Sequence, residues 1–420
     1  MLSASTLPSA RERLLRDCSD ELQALDHQAL RRRLTVVDRF DGPWVETGGR
    51  RLVNWCSNDY LGLACHPALA EAAAAAAAEW GVGARASRLL AGSTRWHARL
   101  EEALASWFGT DAAIVYPSGY LANLGTLGAL LSSRDAVFVD RLAHASLVDA
   151  IRRTPAALRV FRHNDLSHLA ALLSRAAGAR RRLVVTEGVF SMEGDACPLA
   201  ELAELADSTD ALLYVDDAHG AFVTGATGRG TPEAAGLAHE RFLYMATLGK
   251  GLGAQGGFVT GPAPLIDYLH NRARTFLYTT ALAVPVAAAA AAALRVVAEE
   301  PERRERLHRQ AGRLQERLAR LGLPAPARRT ASHIVPLVVG SAARAVEAAG
   351  RLWERGCWAP AIRPPTVPRG TARLRLSVTA LHTDAQIDAL ADALLQIRDR
   401  FSFSPAVGLS RKREAVPGQS

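Results

Sequence analysis

The sequence predicts an α/β protein in which a large domain on a mostly parallel sheet is followed by a smaller α+β C-terminal domain. Three observations carry this. From about residue 66, short β-type runs alternate with helical stretches. Most of those runs end in a polar or Gly-rich loop. Beyond a long helical region over 282–321, strand-like and helical runs resume at a different spacing. Strands separated by helices make a parallel sheet covered on both faces, and such sheets collect ligands at the carboxyl ends of their strands.

In chain order, residues 1–50 hold an Arg-rich helical stretch from Arg11 to Leu34, with Leu14, Leu15, Leu22, Leu25 and Leu30 spaced loosely as one face, then a loop ending near Gly48-Gly49. Pro67 to Trp80 is a nearly pure Ala helix, and Trp96 to Phe108 is an amphipathic one. Strand runs follow at 112–116, 136–139, 183–186, 212–215, 242–245 and 257–260. The region 282–321 reads as a connector. His333 to Val339 and Leu374 to Val378 read as strands around helices near 343–355 and 384–400. The expected division is 1–50 as an N-terminal helical segment, 51–295 as the large domain, 296–403 as the C-terminal domain and 404–420 as a disordered tail.

Composition narrows the class. Apolar residues make up 49% and charged residues 22% of 420, which excludes collagen, coiled coil and wholesale disorder. Lys and Arg number 50 against 42 Asp and Glu, so the net charge is +8, favouring an anionic partner such as a phosphorylated cofactor, a CoA ester or an acidic carrier protein. The excess is largely Arg in an Ala- and Arg-rich chain, and no nucleic-acid module is expected. Five widely spaced Cys without a CxxC speak against a disulfide framework or metal site and for a reducing, cytoplasmic setting. The N-terminus lacks the pattern of a secretory signal. Thr275 to Leu294 is uncharged and long enough to span a bilayer, but Pro285 interrupts it and much of it is Ala, so a buried helix is expected and no membrane partner.

Five motifs sit at the predicted strand ends. Thr247-Leu248-Gly249-Lys250-Gly251 holds one of only two Lys in the chain, the other being Lys412. Lys can lose its proton when desolvated and form a Schiff base, whereas Arg cannot. A plain surface Lys is the bland alternative. Tyr214 to Gly220 ends a strand with Asp216 and places His219 three residues on. That pair suits a metal, a triad or a cationic ring nitrogen, and a helix-capping Asp is the ordinary alternative. Ser118-Gly119-Tyr120 exposes backbone N–H groups at a helix start, as a phosphate requires, though a simple turn looks the same. His144 in Leu142 to Ser146 could stack on an aromatic ring, and Glu187 to Asp195 is a polar loop. Gly251-x-Gly253-x-x-Gly256 matches the dinucleotide fingerprint, but a strand follows it where a helix is required.

In these motifs and their order the chain resembles the α-oxoamine synthases, pyridoxal 5'-phosphate (PLP) enzymes of aminotransferase fold type I, over about residues 30–400. The resemblance also covers Asn58 to Leu63, Ser87-Arg88-Leu89, His163-Asn164-Asp165 and Ala372 to Leu376. Gly356 to Pro368, with Arg363-Pro364-Pro365-Thr366, is similar to the alanine-using branch of biotin synthesis; branches using glycine or serine typically carry a Tyr-Pro-Val-Val-Pro type of sequence there. The resemblance implies a seven-stranded, mostly parallel sheet and no metal. It implies that Lys250 bonds PLP and later moves the Cα proton, that Asp216 pairs with the pyridine nitrogen, that His219 contacts the ring oxygen and that His144 stacks on the ring. Gly119, Tyr120, Ser191 and Thr247 would complete the cofactor site. Arg363 would bind the amino-acid carboxylate, Arg31 and Thr366 the acyl substrate, and Asn58 would line the site. The substrates implied are L-alanine and pimeloyl-CoA or pimeloyl-acyl carrier protein. A homodimer is implied, with Thr279 or Thr280 reaching the neighbouring subunit's phosphate. Two small departures are Gln255, where relatives often differ, and Arg85-Ala86, where they often have Gly. A non-catalytic PLP-fold protein is disfavoured by the intact Lys250, Asp216 and His219, and a nicotinamide enzyme by the failed fingerprint.

Overall fold

A computed structural model of the chain describes residues 9–324 and 332–405. Its centre is a seven-stranded sheet, in the order Ala112–Tyr116, Gly257–Gly261, Leu243–Thr247, Leu212–Asp216, Arg182–Glu187, Ala136–Asp140, Ala157–Phe161. Gly257–Gly261 runs antiparallel to both neighbours and the other pairings are parallel. The strands read as apolar runs because both faces are buried. Alternate residues feed two clusters: Val115, Phe138, Val184, Leu213 and Val215 face one way, and Ile114, Val137, Val139, Val185 and Tyr214 the other. Pro67–Trp80, Arg95–Phe108 and Val284–Glu299 cover the first face; Gly119–Leu130, Ala145–Arg152 and Ala263–Arg272 cover the second.

The two Ala-rich helices, Pro67–Trp80 and Val284–Glu299, pack on each other. Small side chains allow that close approach. Pro285 sits in the first turn of its helix, where its missing N–H costs nothing. Among the described residues no helix is long and apolar enough to cross a membrane.

A three-stranded antiparallel sheet follows: Ile334–Gly340, Ala372–Ser377 and Ala361–Ile362. The helices Ala342–Glu354 and Asp384–Arg398 accompany it. Its buried residues Ile334, Leu337, Leu374 and Leu376 belong to the same apolar cluster as one face of the large sheet.

Four expectations need correction. The Arg-rich helix spans Ala10–His27 and stops short of Leu34. The expected loop before residue 50 is a meander of strands, Arg39–Asp41, Trp44–Thr47 and Arg50–Asn54, extended by Cys357–Trp358. Gly48 and Gly49, at φ of 53° and 72°, make the tight turn. The connector 282–321 is two helices, Val284–Glu299 and Glu302–Arg320, parted at Pro301. The strand Ala157–Phe161 adds to the runs expected from the sequence. The tail over 404–420 lies outside the described residues except for Ser404 and Pro405, and Ser404 pairs with Val338. Arg85, at one of the departures, adopts a φ of 67°, a region that favours glycine.

Candidate active site

The carboxyl edge of the large sheet brings distant residues together. Glu187 and Asp216 are the last residues of adjacent parallel strands, and Thr247 ends the next one. Ser118 follows a strand, accepts a hydrogen bond from Leu121 N and starts the helix Gly119–Leu130. Gly257 lies so close to this turn that a side chain there would collide with the Ser118–Gly119 backbone. The resulting cavity is about 190 Å³ and is lined by Gly119, Tyr120, Asn123, His144, Ser146, Glu187, Asp216, His219, Thr247 and Lys250 among others.

Lys250 sits in the turn after Thr247, whose hydroxyl donates to Gly256 O (2.7 Å) and accepts from Gly249 N (3.2 Å). Burial lowers its pKa to about 8, against the opposing pull of Asp216 and Glu187. Nζ lies 2.7 Å from His219 Nε2, and His219 Nδ1 lies 2.6 Å from the Tyr60 hydroxyl. Tyr60 also faces Asn58 Oδ1 (3.2 Å) and Arg375 Nη2 (3.4 Å). Arg375 can only donate, and Asn58 Oδ1 can only accept. While Lys250 is protonated its ammonium can only donate, so His219 Nε2 accepts from it, Nδ1–H donates to Tyr60, and the Tyr60 hydroxyl hydrogen is left for Asn58. Burial, then the charges of Lys250 and Arg375, hold His219 well below the usual histidine pKa.

Asp216 is buried, and both its oxygens are engaged: Oδ2 accepts from Asn123 Nδ2 at 2.8 Å and Oδ1 from Ala218 N at 3.1 Å. The second Asn123 N–H reaches Ser146 Oγ (2.8 Å), and its carbonyl accepts from the Tyr214 hydroxyl (2.7 Å). Ser146 Oγ in turn faces His144 Nδ1 at 2.8 Å. One fully bonded amide thus ties the carboxylate to the His144 wall. Asn123 lies one turn after Gly119 and so points to the same side.

Next to Asp216, Asp217 is fully buried and accepts from Thr231 N (2.8 Å) and the Tyr244 hydroxyl (2.9 Å). Burial raises its pKa to about 7. Gly188, Gly220 and Gly230 surround it so tightly that a side chain at any of them would overlap its carboxylate.

The residues fit PLP. An amine of lowered pKa, a buried carboxylate, a histidine ring on the wall and the start of a helix share one cavity. Glu187 Oε1, buried without a hydrogen-bond partner, also lies there. Desolvation, then the charge of Asp216, pushes Glu187 well above the ordinary carboxylate range, toward the protonated form.

Of the expected cofactor-binding residues, Gly119, Tyr120, His144, Asp216, His219, Thr247 and Lys250 line the cavity. Ser191 does not: it lies behind Glu187, its N–H donating to Glu187 Oε2 (3.2 Å) and its carbonyl accepting from Arg375 Nε (2.6 Å). Of the expected substrate residues, His144 lines this cavity, and Arg31, Arg363 and Thr366 gather outside it. Arg363 Nη1 donates to Ala29 O (2.6 Å) and Arg31 O (3.3 Å). The side chain facing Thr366 is that of Arg32, at 3.4 Å, while Arg31 pairs with Asp26 at 2.6 Å. Asn58 enters through Tyr60 and Arg375. Tyr60, Asn123, Glu187 and Arg375 join the site with no individual role expected from the sequence.

The sequence model for aminotransferase class I and II matches residues 50–394. An 8-amino-7-oxononanoate synthase of Anaeromyxobacter dehalogenans (strain 2CP-1) is 52% identical over 377 residues, 90% of this chain and 94% of the relative. One of Chromobacterium violaceum is 48% identical over 382 residues, 91% and 98% of the two chains. Among solved structures, a serine palmitoyltransferase from S. paucimobilis with bound PLP superposes with a TM-score of 0.87 at 30% identity, covering 92% of this chain and 98% of that one. An 8-amino-7-oxononanoate synthase from Francisella tularensis gives 0.73 at 27%, covering 83% and 98%. The chain belongs to the aminotransferase class I and II family and, within it, to the 8-amino-7-oxononanoate synthases.

Proposed function

We propose that the chain condenses L-alanine with a pimeloyl thioester, carried on CoA or acyl carrier protein, to give 8-amino-7-oxononanoate, CO₂ and the free thiol, with PLP as cofactor. The observation that carries this is the Lys250–His219–Tyr60 chain set beside Asp216, in a protein about half identical to 8-amino-7-oxononanoate synthases.

PLP at this site supplies an electron sink for the charge left by deprotonating the amino acid. The protein residues do the rest. Asp216, fixed by Asn123, would hold a ring nitrogen. The N–H groups at the start of Gly119–Leu130 would hold a phosphate. His144 offers a flat wall held by Ser146. Lys250, with a pKa near 8, has a neutral fraction at working pH and takes the Cα proton of alanine. His219, neutral and with Nε2 as acceptor, holds the Lys250 amine in place. The new C–C bond forms at the thioester carbonyl, the thiol leaves, and the alanine carboxyl departs as CO₂. Arg363, Thr366 and Arg31 or its neighbour Arg32 take substrate carboxylates once freed from their present partners.

A homodimer fits the surface. Val82, Leu89, Leu90 and Tyr278 are large apolar side chains, each more than half exposed, on two segments joined by Ala281 N to Ala86 O (3.0 Å) beside Thr279 and Thr280. Such a patch marks an interface. Sedimentation of the wild type as a dimer and of Leu90→Glu as a monomer is the expected outcome.

The likeness to serine palmitoyltransferase favours a second reading, a serine- or glycine-using synthase. The deciding test incubates the purified, PLP-loaded protein with pimeloyl-CoA and each of L-alanine, glycine and L-serine. CO₂ and free thiol should appear with L-alanine; release with glycine or serine alone replaces the substrate assignment.

A further inference from the structure

A cavity of about 570 Å³ lies away from the catalytic one and shares no lining residue with it. It opens between the helices Arg95–Phe108 and Val284–Glu299, which cover the first face of the large sheet. Trp107 comes from the first helix, and Leu294 and Arg295 come from the second, with alanines from both around them. Two further pieces close the space. Thr227 and Arg229 belong to the loop between Asp216 and Thr231, and Arg304 to the helix Glu302–Arg320. Small-molecule sites commonly measure about 300–1,000 Å³, so the space is large enough for one.

The lining divides into an apolar wall and a set of cations. Trp107 is half-buried and Leu294 buried. Against them stand three arginines and, among the described residues, no acidic side chain. Arg304 is only 7% exposed, donates to Val297 O (3.0 Å) and has no ion pair. The loop fixes its stem: a side chain at Gly228 would come within 3.1 Å of Arg304 Cδ. Arg229 and Arg295 are exposed, and among the described residues their guanidinium groups make no hydrogen bond and no ion pair. Glu233 acts on both Arg229 and Arg304, but its carboxylate is already taken up by Thr227 N (3.0 Å), Thr227 Oγ1 (2.8 Å) and Arg229 N (2.9 Å). A buried guanidinium with no carboxylate partner is costly unless another anion meets it. Three guanidinium groups from three elements match a chain of phosphates better than a single carboxylate. The indole of Trp107 beside them offers a wall for a flat ring.

We infer that this cavity binds a nucleoside polyphosphate, with Arg229, Arg295 and Arg304 on the phosphates and the base against Trp107 and Leu294. The site goes beyond the reaction proposed above and does not rest on it.

The test is calorimetry of the PLP-loaded protein with metal-free ATP, tripolyphosphate and adenosine as probes. ATP should bind the wild type, and Arg229→Ala and Arg295→Ala should each weaken it by about tenfold. Both side chains are exposed, so neither variant empties the core. Tripolyphosphate should bind more weakly than ATP and lose affinity in the same two variants, while adenosine should bind them and the wild type alike. Arg363→Ala, at the expected substrate site, should leave ATP affinity unchanged. Loss of ATP binding in Arg363→Ala with none in Arg229→Ala or Arg295→Ala would move the nucleotide to the substrate site and overturn the assignment. Tripolyphosphate binding as tightly as ATP would show that no base is read and overturn the ligand class. Failure of the wild type to bind ATP at millimolar concentration overturns the site itself.

Discussion

His219 and His163 both follow strands of the same sheet at its carboxyl edge, His219 buried and His163 half-buried, and their charge states are opposite. His219 sits beside Lys250 and Arg375, so burial and cationic neighbours keep it neutral. His163 is clamped between two carboxylates, which outweigh burial and raise its pKa to about 10. The same side chain is a neutral acceptor in one place and a fixed cation in the other. Neighbouring charge decides, because desolvation acts against the cation in both. The neutral one stands where protons must move, and the charged one where two loops must be held.

The comparison can be broken most severely at the base. Lys250→Ala should lower turnover by about 10³-fold or more and abolish borohydride-trapped attachment of PLP, read by mass spectrometry. His163→Gln should retain that attachment; if it does not, the division of labour between the two histidines is wrong.

Next in size is the clamp. Removing His163 leaves two buried carboxylates facing each other, and His163→Asn should cost about 3 kcal/mol in denaturant unfolding at neutral pH. The sign with pH follows from the raised pKa. The stabilisation is complete below the ordinary histidine value near 6.5 and is lost as pH rises through about 10. The gap between wild type and variant should close across that window. A gap independent of pH would mean that His163 acts by packing alone.

Tyr60→Phe leaves His219 Nδ1–H without its acceptor and should reduce kcat by about tenfold, with thermal stability changed less than in His163→Asn. Smallest is the effect of pH on loading. The rate at which cofactor-free protein attaches PLP should rise several-fold through a midpoint near 8, as Lys250 loses its proton. A midpoint near 10 would place the amine in open water.

Much of the site was legible because its residues come in short strings at strand ends: Ser118-Gly119-Tyr120, Asp216 with His219, and Gly249-Lys250. The bonds between strings were not. Tyr60 and His219 are 159 residues apart and Asn123 and Asp216 are 93 apart, so only the fold joins them. The strand Ala157–Phe161 escaped because it is an edge strand whose side chains are mostly exposed, leaving no buried run to see. The N-terminal meander did carry a signal: Gly42-Pro43 and Gly48-Gly49 are two-residue turns set between short strands. Arg31 and Thr366 are both expected at the acyl substrate, and the fold sets Arg32 against Thr366 while Arg31 pairs with Asp26.

The packing around Asp217 has a consequence for how this sequence can drift. Gly188 comes from one loop and Gly220 and Gly230 from another, ten residues apart, yet each is small for the sake of one carboxylate. That carboxylate cannot swing aside, because Thr231 N and the Tyr244 hydroxyl pin it. A methyl group at any of the three glycines therefore presses on Asp217 and, through the peptide bond, on Asp216. The first such change would forfeit most of the alignment, and a second or third would forfeit little more. For selection, the three positions form a single unit.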